Sequence, residues 1–131
     1  MHALRLKPHQ DLKASLMAFV HERQIRAGAV VTCVGSLEQY HLRFANQIDG
    51  VSKTGHFEIL SVVGTLSVAR THLHICLADG EGHTIGGHLL EKNLIYTTAE
   101  IVIAELTDLD FSSVKDELYG YPELMISPRQ P

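Results

Sequence analysis

Apolar positions at Leu12, Leu16, Phe19 and Val20 fall on one face of a helix, with Lys13, Glu22 and Arg23 on the other side. The pattern predicts a helix that opens after Pro8, runs to about Arg26 and stops at Gly28. Ala3–Leu6, just before Pro8, reads as a short strand. Beyond Gly28 the period changes to that of strands. Ala29–Val34 is nearly all apolar and predicts a buried strand, Gly35-Ser36 a turn, and Gln39–Ala45 an alternating strand. Asn46–Lys53, with Asp49-Gly50, reads as a loop. Phe57–Val63 and Thr65–Ala69 form a strand broken or bulged at Gly64. Thr71–Ala78 and His83–Leu89 flank Asp79-Gly80-Glu81-Gly82, which is a hairpin signal. Leu94–Leu106 fits a long strand or a helix, and the β-branched Thr97, Thr98, Ile101, Val102 and Ile103 favour the strand. Thr107–Gly120 is polar and turn-rich, and Tyr121–Ile126 reads as a last strand. One helix among many short strands predicts an α+β fold, a barrel-like antiparallel β-sheet with one main N-terminal helix packed on it.

At 131 residues the chain is expected to be a single domain, 1–131, with enough apolar residues (45%) for a core of its own. The absence of tryptophan makes that core aliphatic. Cys33 and Cys76 sit in apolar runs and read as buried reduced thiols rather than a disulfide. No Cys-x-x-Cys pair is present, which excludes a zinc finger. Without a signal-peptide core near Met1 or an apolar run long enough to span a bilayer, the expectation is a soluble cytoplasmic protein with no membrane partner. A net charge of −4 and no Lys/Arg run argue against a free-standing DNA binder, which needs a basic face to neutralise phosphates.

The candidate chemistry is concentrated in His72-Leu73-His74 and Gly86-Gly87-His88. Histidines at i and i+2 on a strand share a face. A hairpin register whose partner numbers sum to 162 sets His88 opposite His74 on that face. Three imidazoles on one face, with a fourth position open, are a usual way to hold catalytic zinc or another divalent transition metal. An anion site and hydrogen-bonded core histidines are the other readings of the triplet. Gly86 and Gly87 let backbone or a ligand come close to His88, or mark a bend. Glu58 and Glu100 each interrupt an apolar strand, where a carboxylate faces solvent, supports a histidine or moves a proton. Arg43, in Leu42-Arg43-Phe44, reads as a solvated residue or as the partner of a ligand carboxylate.

Taken together, several segments resemble the PPC, or plants and prokaryotes conserved, domain. They are Arg5-Leu6-Lys7-Pro8 with Asp11-Leu12, Gly35-Ser36-Leu37 with Leu42-Arg43, and Phe57-Glu58-Ile59-Leu60-Ser61 with Gly64-Thr65. The series continues through the histidine triplet with Asp79 and Gly82, then Thr98-Ala99-Glu100-Ile101-Val102-Ile103 and Gly120-Tyr121-Pro122-Glu123-Leu124. The resemblance implies a homotrimer, and its prokaryotic members are similar to metal-binding proteins at His72, His74 and His88. In plants the domain follows an AT-hook, an Arg-Gly-Arg-Pro element, and serves assembly and partner binding. This chain has no such element and is expected to be the stand-alone prokaryotic form; the DNA-binding label such proteins carry comes from the plant relatives. Two departures stand out: His9 replaces the glycine of a usual Pro-Gly, and Phe111-Ser112-Ser113 lacks an arginine that many relatives carry. Two functions follow as expectations. One is a trimeric metal- or ligand-binding assembly module with a regulatory role, whose partners are itself, another protein or a small molecule. The other, by the fold's similarity to acetolactate decarboxylase, is a zinc-dependent decarboxylase or lyase acting on a small oxo acid. In it Glu58 or Glu100 moves the proton and Arg43 holds the substrate carboxylate.

Overall fold

The structure, a computed structural model, describes residues 1–130. Its elements are β1 (His2–Leu6), α1 (Leu12–Glu22), β2 (Gly28–Arg43), β3 (Val51–Leu66), β4 (Thr71–Ala78), β5 (Thr84–Leu89), β6 (Leu94–Glu105), β7 (Leu109–Lys115) and β8 (Pro122–Pro128). Six strands form one antiparallel sheet in the order β1-β6-β2-β3-β4-β5, and β7 and β8 form a separate hairpin. The end of β2 also pairs with β5, through Leu42 with Leu89 and Arg43 with His88. The sheet is therefore partly closed but is not a barrel, so the expected α+β antiparallel fold holds and its barrel-like description fits only loosely.

The helix follows the predicted face. Leu12, Leu16 and Val20 are buried, and Phe19 packs against the same core. Asp11 caps it by accepting a hydrogen bond from Ala14 N at 3.1 Å. The helix ends at Glu22, short of the predicted Arg26, because Gln24 turns into the left-handed region at φ 52°. Gly28 is instead the first residue of β2. Along β4 the expected alternation holds: Leu73, Ile75 and Leu77 point into the core, and His72 and His74 face out.

Four local expectations are corrected. Gly35-Ser36 is no turn; β2 runs straight through it. A Cβ at Gly35 would stand 2.0 Å from the Thr98 carbonyl oxygen, so glycine marks a close approach of β6 rather than a chain reversal. Between β3 and β4 the register shifts at Leu60, between Ile59 and Ser61, and Gly64 stays in the ladder. The predicted loop Asn46–Lys53 is shorter, since β3 already begins at Val51. Finally, the polar stretch Thr107–Gly120 contains β7, whose one buried side chain is Phe111. With so little burial, β7 has almost no apolar signal. Its hairpin is tied to the sheet by Phe111 N donating to Arg26 O (2.9 Å) and by Ser67 Oγ donating to Phe111 O (3.0 Å). Leu94–Leu106 resolves as the strand β6. Both cysteines are free thiols. Cys33 is buried, and burial pushes its thiol up to about 12.

Candidate metal centre

The histidines converge through strand pairing. In the β4–β5 hairpin His74 is directly opposite His88, and at the end of β2 Arg43 is directly opposite His88 on its other side. Directly opposed residues project to the same side of a sheet. Arg43, His88 and His74 thus form one row, with His72 two residues along β4. The glycine pair before His88 allows this. A Cβ on Gly87 would stand 2.8 Å from Arg43 O, and one on Gly86 would stand 2.8 Å from Ile75 O. Only a strand without side chains there fits between β4 and the end of β2.

One ring nitrogen from each of His72, His74 and His88 lies within 4.8 Å of the others. The Nε2 atoms of His72 and His74 are 3.2 Å apart. Two nitrogens at zinc–imidazole distance from one tetrahedral ion stand about 3.3 Å apart, so this spacing suits a shared ion. Partial burial, the Arg43 charge and the neighbouring histidines push the His88 imidazole down to about 4. His72 is lowered too, by partial burial, then by His74 and Arg70, with Glu123 pulling the other way. Imidazoles kept neutral near pH 7 are the form that ligates a metal.

Beside the triplet an open cavity of about 890 Å³ is lined by His72, His88, Arg43, Arg70, Tyr121 and Glu123, among others. Arg43 Nη1 also donates to Gln47 O at 3.3 Å. The structure brings Arg43 to the histidines but not the two carboxylates singled out from the sequence. Glu58 is exposed on β3 opposite Ser36 and Ala78, whereas His74 is opposite Val63. Those five residues of strand put about 17 Å between them. Glu100 is exposed opposite Arg5, on a different surface groove with Leu4, Thr32 and Val34. The carboxylate of this cavity is Glu123, and its second guanidinium is Arg70. Sequence reasoning missed both. The signal for Arg70 is that it precedes His72 and His74 at the same two-residue spacing, just before β4; Glu123 has none, because β8 arrives from a hairpin with weak sequence signal.

A partly closed antiparallel sheet with one helix, carrying three outward histidines on a β-hairpin, defines a small α+β domain with a candidate metal centre. The chain belongs to the Plants and Prokaryotes Conserved (PCC) domain family, whose family model matches residues 1–107. It is similar to a hypothetical protein of Salmonella enterica, with 43% identity, a TM-score of 0.97, and coverage of 98% of this chain and 94% of that one. A metal-containing protein from Archaeoglobus fulgidus has the same fold at 22% identity and a TM-score of 0.74, over 95% of this chain and 91% of that one. The bifunctional protein GlmU of Synechococcus (strain JA-3-3Ab) is 44% identical over 96% of this chain. The chain spans only 20% of the length of that curated relative.

Proposed function

We propose that this domain is a homotrimeric assembly module that binds a divalent transition metal, zinc first among them, through His72, His74 and His88. The observation that carries the reading is the convergence of three ring nitrogens within 4.8 Å, two of them at the spacing of a tetrahedral edge. The lowered His88 and His72 imidazoles support it, as does the metal-containing relative of the same fold. Assembly is supported by an outward apolar stripe on β2 and β3, where Val31, Val34, Leu60 and Val63 are 53–56% exposed. The net charge of −4 gives no support to DNA as the ligand.

The test is elemental analysis of purified, untagged protein after zinc is supplied, beside a His74→Ala variant. About one zinc per chain is expected in the wild type, and its loss in the variant. No metal in the loaded wild type ends the metal reading.

A second reading, a zinc-dependent lyase acting on a small oxo acid, is favoured by one observation: Arg43 is directly opposite His88 at the cavity wall. There a guanidinium would hold a substrate carboxylate while a bound ion supplied Lewis acidity. Within a single chain Glu123, rather than Glu58 or Glu100, is the cavity carboxylate suited to move a proton. Turnover of 2-oxo or 3-oxo acids above a His72→Ala control is the expected sign of this activity, and its absence across the screen counts against it.

A further inference from the structure

Arg70 has an unusual combination of order and incompleteness. Its backbone is pinned to Ser67, a fully buried serine in the β3–β4 turn. Ser67 N donates to Arg70 O at 2.7 Å, and Arg70 N donates to Ser67 Oγ at 3.1 Å. Ser67 Oγ in turn reaches the Phe111 carbonyl at 3.0 Å, so the turn is anchored from both sides. The side chain lines the cavity with Arg43, His72 and His88, yet its Nη1 atom is buried with no hydrogen-bond partner. Among the described residues only Asp110 Oδ1 shares that status, and it has Arg129 Nε at 3.5 Å. A buried guanidinium nitrogen without a partner is costly, and such groups call for an explanation.

The cavity that Arg70 lines carries an unmatched charge of its own. The charged side chains lining the cavity, apart from the histidines, are Arg43, Arg70 and Glu123. The net is positive before any ion is counted, and a divalent ion at the triplet would raise it further. A guanidinium fork matches the two oxygens of a carboxylate or a phosphate. The cavity, about 890 Å³ and open, has the size of a small-molecule site.

We propose that Arg70 and Arg43 form an oxyanion subsite beside the histidine triplet, so that the cavity takes a small molecule carrying carboxylate or phosphate groups. One end of the ligand sits against the cavity-lining side of the Arg70 and Arg43 side chains, and the other faces the histidines. The proposal rests on the metal reading only for the ion's share of the attraction; the two arginines stand without it.

Calorimetric titration of zinc-supplied and metal-free protein with malonate and with inorganic phosphate tests this. At least one of the two is expected to bind the wild type, and which one distinguishes a carboxylate ligand from a phosphate one. Arg70→Met is expected to weaken that binding by at least about tenfold with zinc content unchanged. Arg70→Lys, which keeps the charge and loses the fork, is expected to fall between and serves in place of Arg70→Met should that variant not fold. Binding that Arg70 substitution leaves unchanged overturns the proposal, and so does a wild type that binds neither anion. Arg70-dependent anion binding in a protein that takes up no zinc would retain the subsite and remove the metal centre, so the two failures are separable.

Discussion

At the scale of single residues, the most economical observation concerns His9. It sits at φ 71°, in the left-handed region, where glycine is the residue without a steric cost. An L side chain there costs about 1–2 kcal/mol. Against that, His9 gains only an exposed hydrogen bond between its Nδ1 and Glu38 Oε1 at 2.7 Å. His9→Gly is therefore expected to stabilise the fold by about 1 kcal/mol, read as a higher urea midpoint at unchanged slope. Glu105 makes the opposite case. Its hydrogen bond with the His2 ring (2.9 Å), and then that with Arg129 (3.4 Å), hold its carboxyl below the usual carboxylate range. A depressed carboxyl contributes stability above the unfolded-state value of about 4.3 and loses it as pH falls through the folded-state value. Glu105→Gln should thus cost about 1 kcal/mol at pH 7. The gap between the two melting curves should close as the pH drops below about 4. A gap that persists at low pH would mean the charge is not what holds this contact.

At the scale of elements, the β4–β5 hairpin and the end of β2 decide whether the three histidines meet. Gly87→Val places a side chain against the Arg43 carbonyl, which a Cβ alone would approach to 2.8 Å. The expected result is a parted β2–β5 contact, a stability loss of about 2–3 kcal/mol and a sharp fall in zinc uptake, with all three ligands still in the chain. Normal zinc uptake by a folded Gly87→Val protein would show that the strand closure does not organise the site. The same elements show what a sequence can disclose. His74 and His88 follow from period two and one hairpin turn, since both are local, and the strand character of β6 follows from its β-branched run. Gly35 misleads because close packing against Thr98 and a chain reversal both demand a missing side chain, and only the neighbour strand tells them apart. Arg43 beside His88 is a non-local pairing that no periodicity encodes. β7 is nearly silent because it buries one large residue, Phe111, between Asp110 and a pair of serines.

At the scale of the whole molecule, the outward stripe of Val31, Val34, Leu60 and Val63 is the surface on which the proposed trimer would close. The wild type is expected to sediment at about three times its 14.5 kDa chain mass. The double variant Val34→Glu, Leu60→Glu should sediment as a single chain, since opposed copies would bury like charges. A wild type that sediments as one chain removes the trimer. The sheet order carries a further consequence, for how the chain comes into being. His2 is paired with Ile103 and Leu6 with Ala99, so the first strand of this domain to be made must wait for the last one of the sheet. β2 meanwhile pairs early with β3 and, over Leu42 and Arg43 only, with β5; most of its other edge stays open until β6 arrives. Contacts this distant in sequence fold slowly. The nascent chain should therefore remain a client of chaperones until β6 is released, and a stalled or truncated product that ends before it would expose a long apolar strand edge prone to aggregation.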